Sequence, residues 1–195
     1  FKLVDERGPD SKSYMWVYHT YERYGSVPVY LYEYRPTRST QALREFLAGY
    51  KGILLTDGYE AYHKLEKERC DELTVAGCWA HARRKFAELV KAGTASSKTA
   101  EEAVKRIGAI YHVDNMYKEK SEDERLENRK QSVKPLVDSF FEWIEELMKK
   151  PMDKGGKLYG AVSYAHNQES YLRRFLDNGI IPLDTNDAER SLRSF

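Results

Sequence analysis

The sequence contains few cysteines, prolines and glycines and has no long apolar run. Its two cysteines, Cys70 and Cys78, are too few for a disulfide framework and suit a reducing compartment. With 6 prolines and 12 glycines in 195 residues, collagen-like structure and long disorder are excluded. No stretch approaches the roughly 20 apolar residues that cross a bilayer, and Phe1 to Asp10 lacks a signal-peptide pattern. We therefore expect a soluble, cytoplasmic protein with no membrane partner.

The sequence also lacks an excess of either charge. Its 32 Lys and Arg residues nearly balance 31 Asp and Glu residues, which leaves a net charge of +1. A strongly basic domain would indicate a polyanionic partner, so any nucleic-acid site in this chain must be a local patch. The 15 tyrosines and 3 tryptophans are able to stack on bases, but amphipathic aromatic side chains usually fill core edges, which we favour.

The first half of the chain alternates between strand and helix patterns. β-forming residues at Tyr14 to His19 and at Val27 to Tyr34 predict an antiparallel hairpin around a turn that contains Gly25. The other predicted elements are, in order, a helix at Thr40 to Ala48, a strand at Gly52 to Thr56, a helix at Tyr59 to Lys67 and a strand at Leu73 to Cys78. This order indicates an α/β fold in which helices pack on a mixed sheet.

From Ala80 onward the pattern is helical. Apolar residues at helical spacing predict three helices, marked by Phe86, Leu89 and Val90, by Ala103, Ile107 and Ile110, and by Leu136, Phe140, Trp143, Ile144 and Leu147. The polar segment Lys118 to Lys134 suits a solvated helix extension and a mobile loop equally well. Pro135 is expected to bend or open its helix, and a last long helix is predicted near Leu158 to Phe175.

Asp57 ends a predicted buried strand and precedes Gly58, which leaves room for another group to approach the backbone. A carboxylate at the mouth of a sheet is a suitable ligand for a hard divalent ion, because its oxygen is anionic and its support is rigid. The structural alternative is a residue that ends the strand in a turn, since Asp-Gly is a common turn pair. The local sequence alone favours the turn.

Glu189 lies in a second acidic stretch, near a predicted helix start. If Asn186 is the N-cap, Glu189 occupies the third helical position and is able to close a capping box, a purely structural role. Alternatively, Glu189 points back toward Asp57 and shares metal ions with it. The local sequence again favours the structural role.

The segment from Gly77 to Phe86 holds the densest group of reactive side chains. Cys78 and His81 resemble half of a zinc site, with Cys70 and His63 as remote candidates, but a second tight ligand pair is missing. We therefore favour a cysteine and a histidine whose polar atoms are satisfied within the fold.

Three cations follow in the same segment: Arg83, Arg84 and Lys85. They open a helix, where the macrodipole disfavours positive charge unless an anion lies near. A phosphate backbone is one such anion, and solvation or pairing with acidic neighbours explains the cations equally well.

Several motifs follow one another along nearly the whole chain. They are Tyr14 to Tyr18, Tyr34 to Arg38, Phe46 to Tyr50, Thr56 to Tyr62, Gly77 to Phe86 and Asp184 to Arg193. The strings Gly-Cys-Trp-Ala-His-Ala-Arg-Arg-Lys-Phe and Asp-x-Asn-x-Ala-Glu-Arg-x-Leu-Arg are each specific. Together these motifs resemble the transposases of the insertion sequence 66 family, bacterial DDE enzymes with a ribonuclease H-like catalytic fold. The Cys-x-x-His signature is also similar to one shared more widely among DDE transposases.

The resemblance implies that Asp57 is the second catalytic aspartate and Glu189 the catalytic glutamate, against both local interpretations. It implies a ribonuclease H-like mixed sheet with flanking helices at 1–94 and 179–195, interrupted by an all-helical insertion at 95–178. The family's first aspartate lies upstream in an Asp-Glu-Thr motif and its final helix extends beyond Phe195, so we expect a fragment that is inactive alone. Thr185 replaces a usual asparagine.

The function implied is metal-dependent cleavage and strand transfer, with Mg²⁺ or Mn²⁺ held by Asp57 and Glu189. The expected partner is DNA, both transposon ends and target, bound by a multimer associated with the bacterial nucleoid. From charge and position we expect phosphate contacts from five cations: Arg83, Arg84, Lys85, Arg190 and Arg193. The alternatives are a catalytically inactive, transposase-derived DNA-binding or regulatory protein and a nuclease of the same fold that only hydrolyses.

Overall fold

The computed structural model describes residues 14–20, 27–93 and 97–191. These residues form two compact units. The first unit takes the described residues within Phe1–Leu54, Tyr59–Val75 and Thr185–Phe195, and the second, the helical unit, takes those within Leu55–Gly58 and Ala76–Asp184. The boundaries predicted for the catalytic core, 1–94 and 179–195, and for the insertion, 95–178, stay a prediction.

Strands occur in the first part of the chain and helices dominate the rest, which confirms the α/β class. The strands in the described ranges are β1 (Tyr14–His19), β2 (Tyr30–Arg35), β3 (Gly52–Thr56) and β4 (Leu73–Gly77). The α-helices are α1 (Thr40–Phe46), α2 (Glu60–Glu68), α3 (Trp79–Lys91), α4 (Ser97–Asn115), α5 (Glu122–Asn128), α6 (Lys134–Met148), α7 (Lys157–Asn167), α8 (Glu169–Leu172) and α9 (Asn186–Ser191). A π-helix spans Arg129–Val133, and a 3₁₀-helix spans Arg174–Asp177.

The predicted hairpin is confirmed. β1 and β2 pair antiparallel, with Tyr14 opposite Arg35 and His19 opposite Tyr30. β2 begins later than predicted, because Pro28 has no N–H to contribute to a ladder and the Val29 N–H donates to Thr20 Oγ1 at 2.9 Å. The turn predicted around Gly25 lies outside the described residues.

A single mixed sheet is not found in the described residues, which contain two separate two-stranded sheets, β1 with β2 and β3 with β4. The Gly52 N–H donates to the Glu72 carbonyl at 2.9 Å, and the Cys78 N–H donates to the Thr56 carbonyl at 3.0 Å. These bonds join like ends of β3 and β4, so the two strands run parallel and α2 is their crossover. Within the described ranges no ladder joins the hairpin to this pair, so the predicted single sheet is not seen there.

In the first unit, the hairpin and the first helices share one apolar core. Trp16 from β1, Leu43 and Leu47 at α1, and Leu65 from α2 are buried in the same cluster as Leu73. Ser39 caps α1, because its Oγ accepts a hydrogen bond from the Ala42 N–H at 3.4 Å. The helix predicted for this stretch is thus confirmed, and its buried residues are Ala42 and Leu43.

The predicted apolar stripes also form the core of the helical unit. Phe86, Ile107, Phe140 and Ile144 are fully buried. α3 packs against α4 and α7, and α6 packs against the same two helices. Because the stripes recur at helical spacing, each helix is able to bury one face against its neighbours.

The last long helix, predicted near Leu158 to Phe175, is broken into α7, α8 and a 3₁₀-helix. Gln168 ends α7 with backbone angles near φ −95° and ψ 1°. The Leu172 carbonyl accepts a hydrogen bond from the buried Trp79 Nε1 at 2.9 Å. Because the Leu172 carbonyl bonds to the indole, the regular helix tends to end at α8. The sequence pattern does not reveal this contact.

The segment Lys118 to Lys134 is helical from Glu122 onward, and most of its residues are exposed, as expected for a solvated helix extension, but two of its arginines are not. Arg125 and Arg129 lie four residues apart on α5 and the π-helix, and both are buried. Arg129 donates to both carboxylate oxygens of Asp114, at 2.7 and 3.1 Å, and to the carbonyls of Phe175 and Asn178. Arg125 Nη2 lies 3.5 Å from the same carboxylate. Part of the polar composition therefore belongs to a buried ion cluster.

Pro135 lies in the first turn of α6, directly after the π-helix. The helical run is continuous from α5 through the π-helix into α6, and a proline has no N–H to donate within such a run. The expected opening of the helix at Pro135 is thus seen as a change of helix type before it.

Replacing Asp114 with asparagine tests the ion cluster. Asp114→Asn leaves two buried guanidinium groups without their counter-charge, so we expect the free energy of unfolding to fall by about 3 to 5 kcal/mol. The matched control, Glu102→Gln, breaks the Arg106–Glu102 surface pair of 2.7 Å and should cost about 0.5 kcal/mol or less. Urea denaturation measures both values, and equal losses for the two variants would contradict a structural role for the cluster.

Candidate active site

Asp57 lies directly after β3, at the carboxyl end of the parallel pair. It is half-buried. Its backbone carbonyl accepts a hydrogen bond from the Tyr164 hydroxyl of α7 at 2.9 Å. Ligands of α/β folds commonly bind outside the carboxyl ends of parallel strands, so the position suits a functional carboxylate.

Gly58 allows the close contact between this turn and α7. Its φ of +81° lies in the left-handed region, which residues that carry a Cβ atom rarely adopt. A Cβ atom at this position would lie 2.8 Å from Tyr164 Oη and 2.9 Å from Gln168 Oε1. The expectation that another group approaches the backbone at Gly58 is confirmed, and the group comes from α7 and its C-terminal end.

The Tyr164 ring also contacts a cation. Lys85 Nζ lies 4.6 Å from the ring centroid, within the range of a cation–π interaction. Burial raises the pKa of the Tyr164 hydroxyl, and negative charge at Cys78 and Asp57 would raise it further. The hydroxyl therefore stays protonated and donates to the Asp57 carbonyl throughout the physiological pH range.

Cys78 and His81 lie at the start of α3. Cys78 is fully buried, His81 is half-buried and Cys70 is exposed. Among the described residues, no group of three or more His, Cys, Asp and Glu side chains is placed to hold a metal ion. The Cys78 backbone instead bonds to β3, which places the start of α3 beside the end of that strand.

Asp184, the first residue of the second specific motif, interacts with Tyr111 of α4. Burial is the main cause that raises the pKa of the Tyr111 hydroxyl, and the carboxylate of Asp184 raises it further. The motif therefore begins inside the helical unit, while Glu189 belongs to the first unit.

Glu189 lies on α9, beside β1 in the first unit. Its backbone N–H donates to the Thr185 carbonyl at 3.1 Å, so the first turn of this helix is formed. Asp57 belongs to the helical unit. That the two carboxylates share metal ions therefore stays a prediction.

The predicted phosphate contacts are divided between the units. Arg83, Arg84 and Lys85 are exposed on α3 of the helical unit. Arg190 is on α9, where its guanidinium pairs with Asp187. Arg193 lies outside the described residues. The structure thus joins one predicted cation, Lys85, to the Asp57 turn through the Tyr164 ring.

The chemistry of the donor groups near Asp57 suits a hard divalent cation. The carboxylate supplies anionic oxygen, and Gln168 Oε1 is a buried amide oxygen without a hydrogen-bond partner in the described residues. Oxygen ligands of these two kinds are the ones that Mg²⁺ and Mn²⁺ prefer. Of the two predicted metal ligands, Asp57 and Glu189, only Asp57 belongs to the helical unit. A metal site at Asp57 therefore requires further carboxylates.

Comparison with known proteins supplies the identity. The model of the transposase family named Transposase IS66 family matches residues 1–195. The chain belongs to the IS66 transposase family. Two relatives in Sinorhizobium fredii, the uncharacterized proteins y4qI and y4hP, are 34% and 31% identical over 98% and 86% of this chain. No solved structure matches the chain.

This IS66 family chain spans about a third of the length of those relatives, 36% of y4qI and 32% of y4hP. Within the residues that the structure describes, no helix is long and apolar enough to cross a membrane. Membership of the IS66 family confirms the resemblance seen in the sequence motifs.

Sequence reasoning missed Tyr164 and Gln168. Both lie more than a hundred positions after Asp57, and Tyr164 is one of 15 tyrosines. The signal that was present is Gly58, whose small size indicated that some group must approach there. Which group does so is decided by the packing of α7.

Replacing Gly58 with alanine tests the contact with α7. A positive φ alone costs an alanine about 1 to 2 kcal/mol, and overpacking against Tyr164 and Gln168 should add about 1 kcal/mol or more. Gly49→Ala is the matched control, because Gly49 has a φ of +75° but no atom within 4 Å of the added Cβ. Gly58→Ala should therefore lower the free energy of unfolding by more than Gly49→Ala does. An equal decrease in the two variants would show that α7 does not press on the turn.

Proposed function

We propose that this chain carries the catalytic core of a DDE-type DNA transposase with a ribonuclease H-like fold. The reaction is metal-dependent cleavage at transposon ends followed by joining of the freed end to target DNA. One observation carries the proposal: Asp57 stands at the carboxyl end of a parallel strand pair, with its backbone held by α7, in a chain of a transposase family. An antiparallel hairpin and a parallel unit such as β3, α2 and β4 are both parts of a ribonuclease H-like mixed sheet, and the proposed fold requires that the two join.

The carboxylates of Asp57 and Glu189 would hold Mg²⁺ or Mn²⁺, which supplies activation of a water or 3′-hydroxyl nucleophile and charge stabilisation at the phosphate. Asp57 is suited to this role because the backbone on both sides of it is hydrogen-bonded: Thr56 to Cys78, and Asp57 itself to Tyr164. A rigid support keeps a carboxylate within the narrow geometry that phosphoryl transfer requires.

The exposed cations of α3 would hold the DNA backbone near this carboxylate. Arg83, Arg84 and Lys85 form a local positive patch on a chain whose net charge is only +1. Phosphate contacts of this kind position DNA without reading its sequence. We propose the same role for Arg190 and Arg193, and a multimer that holds paired transposon ends.

The central test replaces the proposed metal ligand in the protein expressed from its complete reading frame. Asp57→Asn keeps the size of the side chain but removes its charge, so cleavage and joining of labelled transposon ends should fall by at least about a thousandfold. Asp153→Asn, which changes an exposed carboxylate, is the matched control and should keep full activity. Gel analysis of the products measures cleavage and joining separately.

Each other outcome of this assay identifies a competing function. Cleavage by Asp57→Asn at the wild-type rate would refute the assignment of the catalytic aspartate. DNA binding without any cleavage by the wild-type protein would favour the inactive regulatory alternative. Cleavage without joined products would favour a nuclease that only hydrolyses.

A second test concerns the phosphate contacts. Replacing Arg83, Arg84 and Lys85 together with glutamine should weaken DNA binding and lower the slope of log K against log salt by about 3, since each neutralised phosphate contributes close to 0.9. The control replaces Lys149 and Lys150, two exposed lysines after α6, and should change the slope little. Fluorescence anisotropy across a salt series gives both slopes, and equal slopes for the two variants would contradict the proposed role of the α3 cations.

A further inference from the structure

The side chain of Tyr164 contacts both proposed parts of the active site in the helical unit. Its hydroxyl donates to the Asp57 carbonyl at 2.9 Å. Its ring lies 4.6 Å from Lys85 Nζ. One residue of α7 is therefore in contact with the backbone of the proposed metal ligand and with a cation proposed to meet DNA phosphate.

We propose that Tyr164 is a positioning residue that fixes Asp57 and Lys85 relative to each other, an inference that rests on the proposed function of Asp57. The peptide between Asp57 and Gly58 has no side chain on its glycine side to hold it in place. A hydrogen bond to the carbonyl of that peptide restrains its plane and therefore the direction in which the Asp57 side chain leaves the backbone. Carboxylates that bind metals depend on such outer contacts for their geometry.

Gln168 closes the same turn from the end of α7. Its side chain is buried, and its Oε1 lies 2.9 Å from the place where a Gly58 Cβ would stand. The Gly58 N–H donates to Thr56 Oγ1 at a nitrogen-to-oxygen distance of 3.4 Å, so this hydrogen bond is long and weak. The bond from Tyr164 is therefore a stronger restraint than the bond to Thr56 Oγ1, and Gln168 limits movement of the turn toward α7 by contact.

Two substitutions separate the two contacts of Tyr164. Tyr164→Phe keeps a ring for Lys85 and removes the hydrogen bond to Asp57. Tyr164→Leu removes both interactions. We expect Tyr164→Phe to raise the Mg²⁺ concentration for half-maximal joining by about tenfold or more, while the salt dependence of DNA binding stays at the wild-type value. Tyr164→Leu should show the same Mg²⁺ effect and also weaken DNA binding.

The second readout needs neither metal nor DNA. Amide hydrogen exchange of the peptide that contains Asp57 and Gly58 should be about fivefold faster in Tyr164→Phe, because one restraining hydrogen bond is removed. Tyr159→Phe, on the same helix, is the matched control and should exchange at the wild-type rate. All variants are made in the protein expressed from its complete reading frame, and their melting temperatures are compared to exclude global unfolding.

Asp57→Asn, measured alongside, separates failure of this inference from failure of the proposed function. Suppose that Asp57→Asn is inactive and that Tyr164→Phe has the Mg²⁺ dependence of the wild type. The positioning role of Tyr164 is then overturned, whatever the rate of amide hydrogen exchange, and the proposed function stands. If Asp57→Asn is fully active, both are overturned, because Tyr164 then has no metal ligand to position. Faster exchange together with a raised Mg²⁺ requirement supports the positioning role.

Discussion

The indole of Trp79 is fully buried, and its Nε1 donates a hydrogen bond to the Leu172 carbonyl at 2.9 Å. A buried indole N–H requires an acceptor, so the end of α8 is held against the start of α3. The Trp79 backbone N–H donates to the Leu183 carbonyl at 2.9 Å, which fixes the segment that leads into the second specific motif. The ring packs against Phe140, Phe141 and Phe175. Much of the helical unit is thus arranged around the residue that follows Cys78.

This arrangement also determines the surroundings of Asp57. Cys78 immediately precedes Trp79, and its N–H bonds to the carbonyl of Thr56, the residue before Asp57. The helix packing and the end of β3 are therefore fixed by adjacent residues of one motif. α7 completes the environment, because its Tyr164 reaches the Asp57 carbonyl. Several residues of the Gly77 to Phe86 motif thus have a structural role in the fold, and the same residues support the proposed site.

The buried cluster of Asp114, Arg125 and Arg129 shows where composition is a poor guide. A run of polar residues between apolar stripes indicates solvent exposure, yet Arg129 is completely buried and its donors reach Asp114 and two backbone carbonyls. Burial of a charge is costly unless its hydrogen bonds are made within the fold, and Arg129 meets this condition. The spacing of Arg125 and Arg129 places both on one helix face, but the sequence does not reveal the partner that this face meets.

The sequence by itself determined the hairpin, the order of strands and helices, the buried helix faces and the family, because local periodicity and specific motifs carry that information. It also indicated a close approach at Gly58. The break after α7, the burial of Arg129 and the contact of Tyr164 with Asp57 were decided only by the tertiary structure. Each depends on a partner far away in the chain, and one sequence does not show which of many chemically equivalent residues the packing brings there.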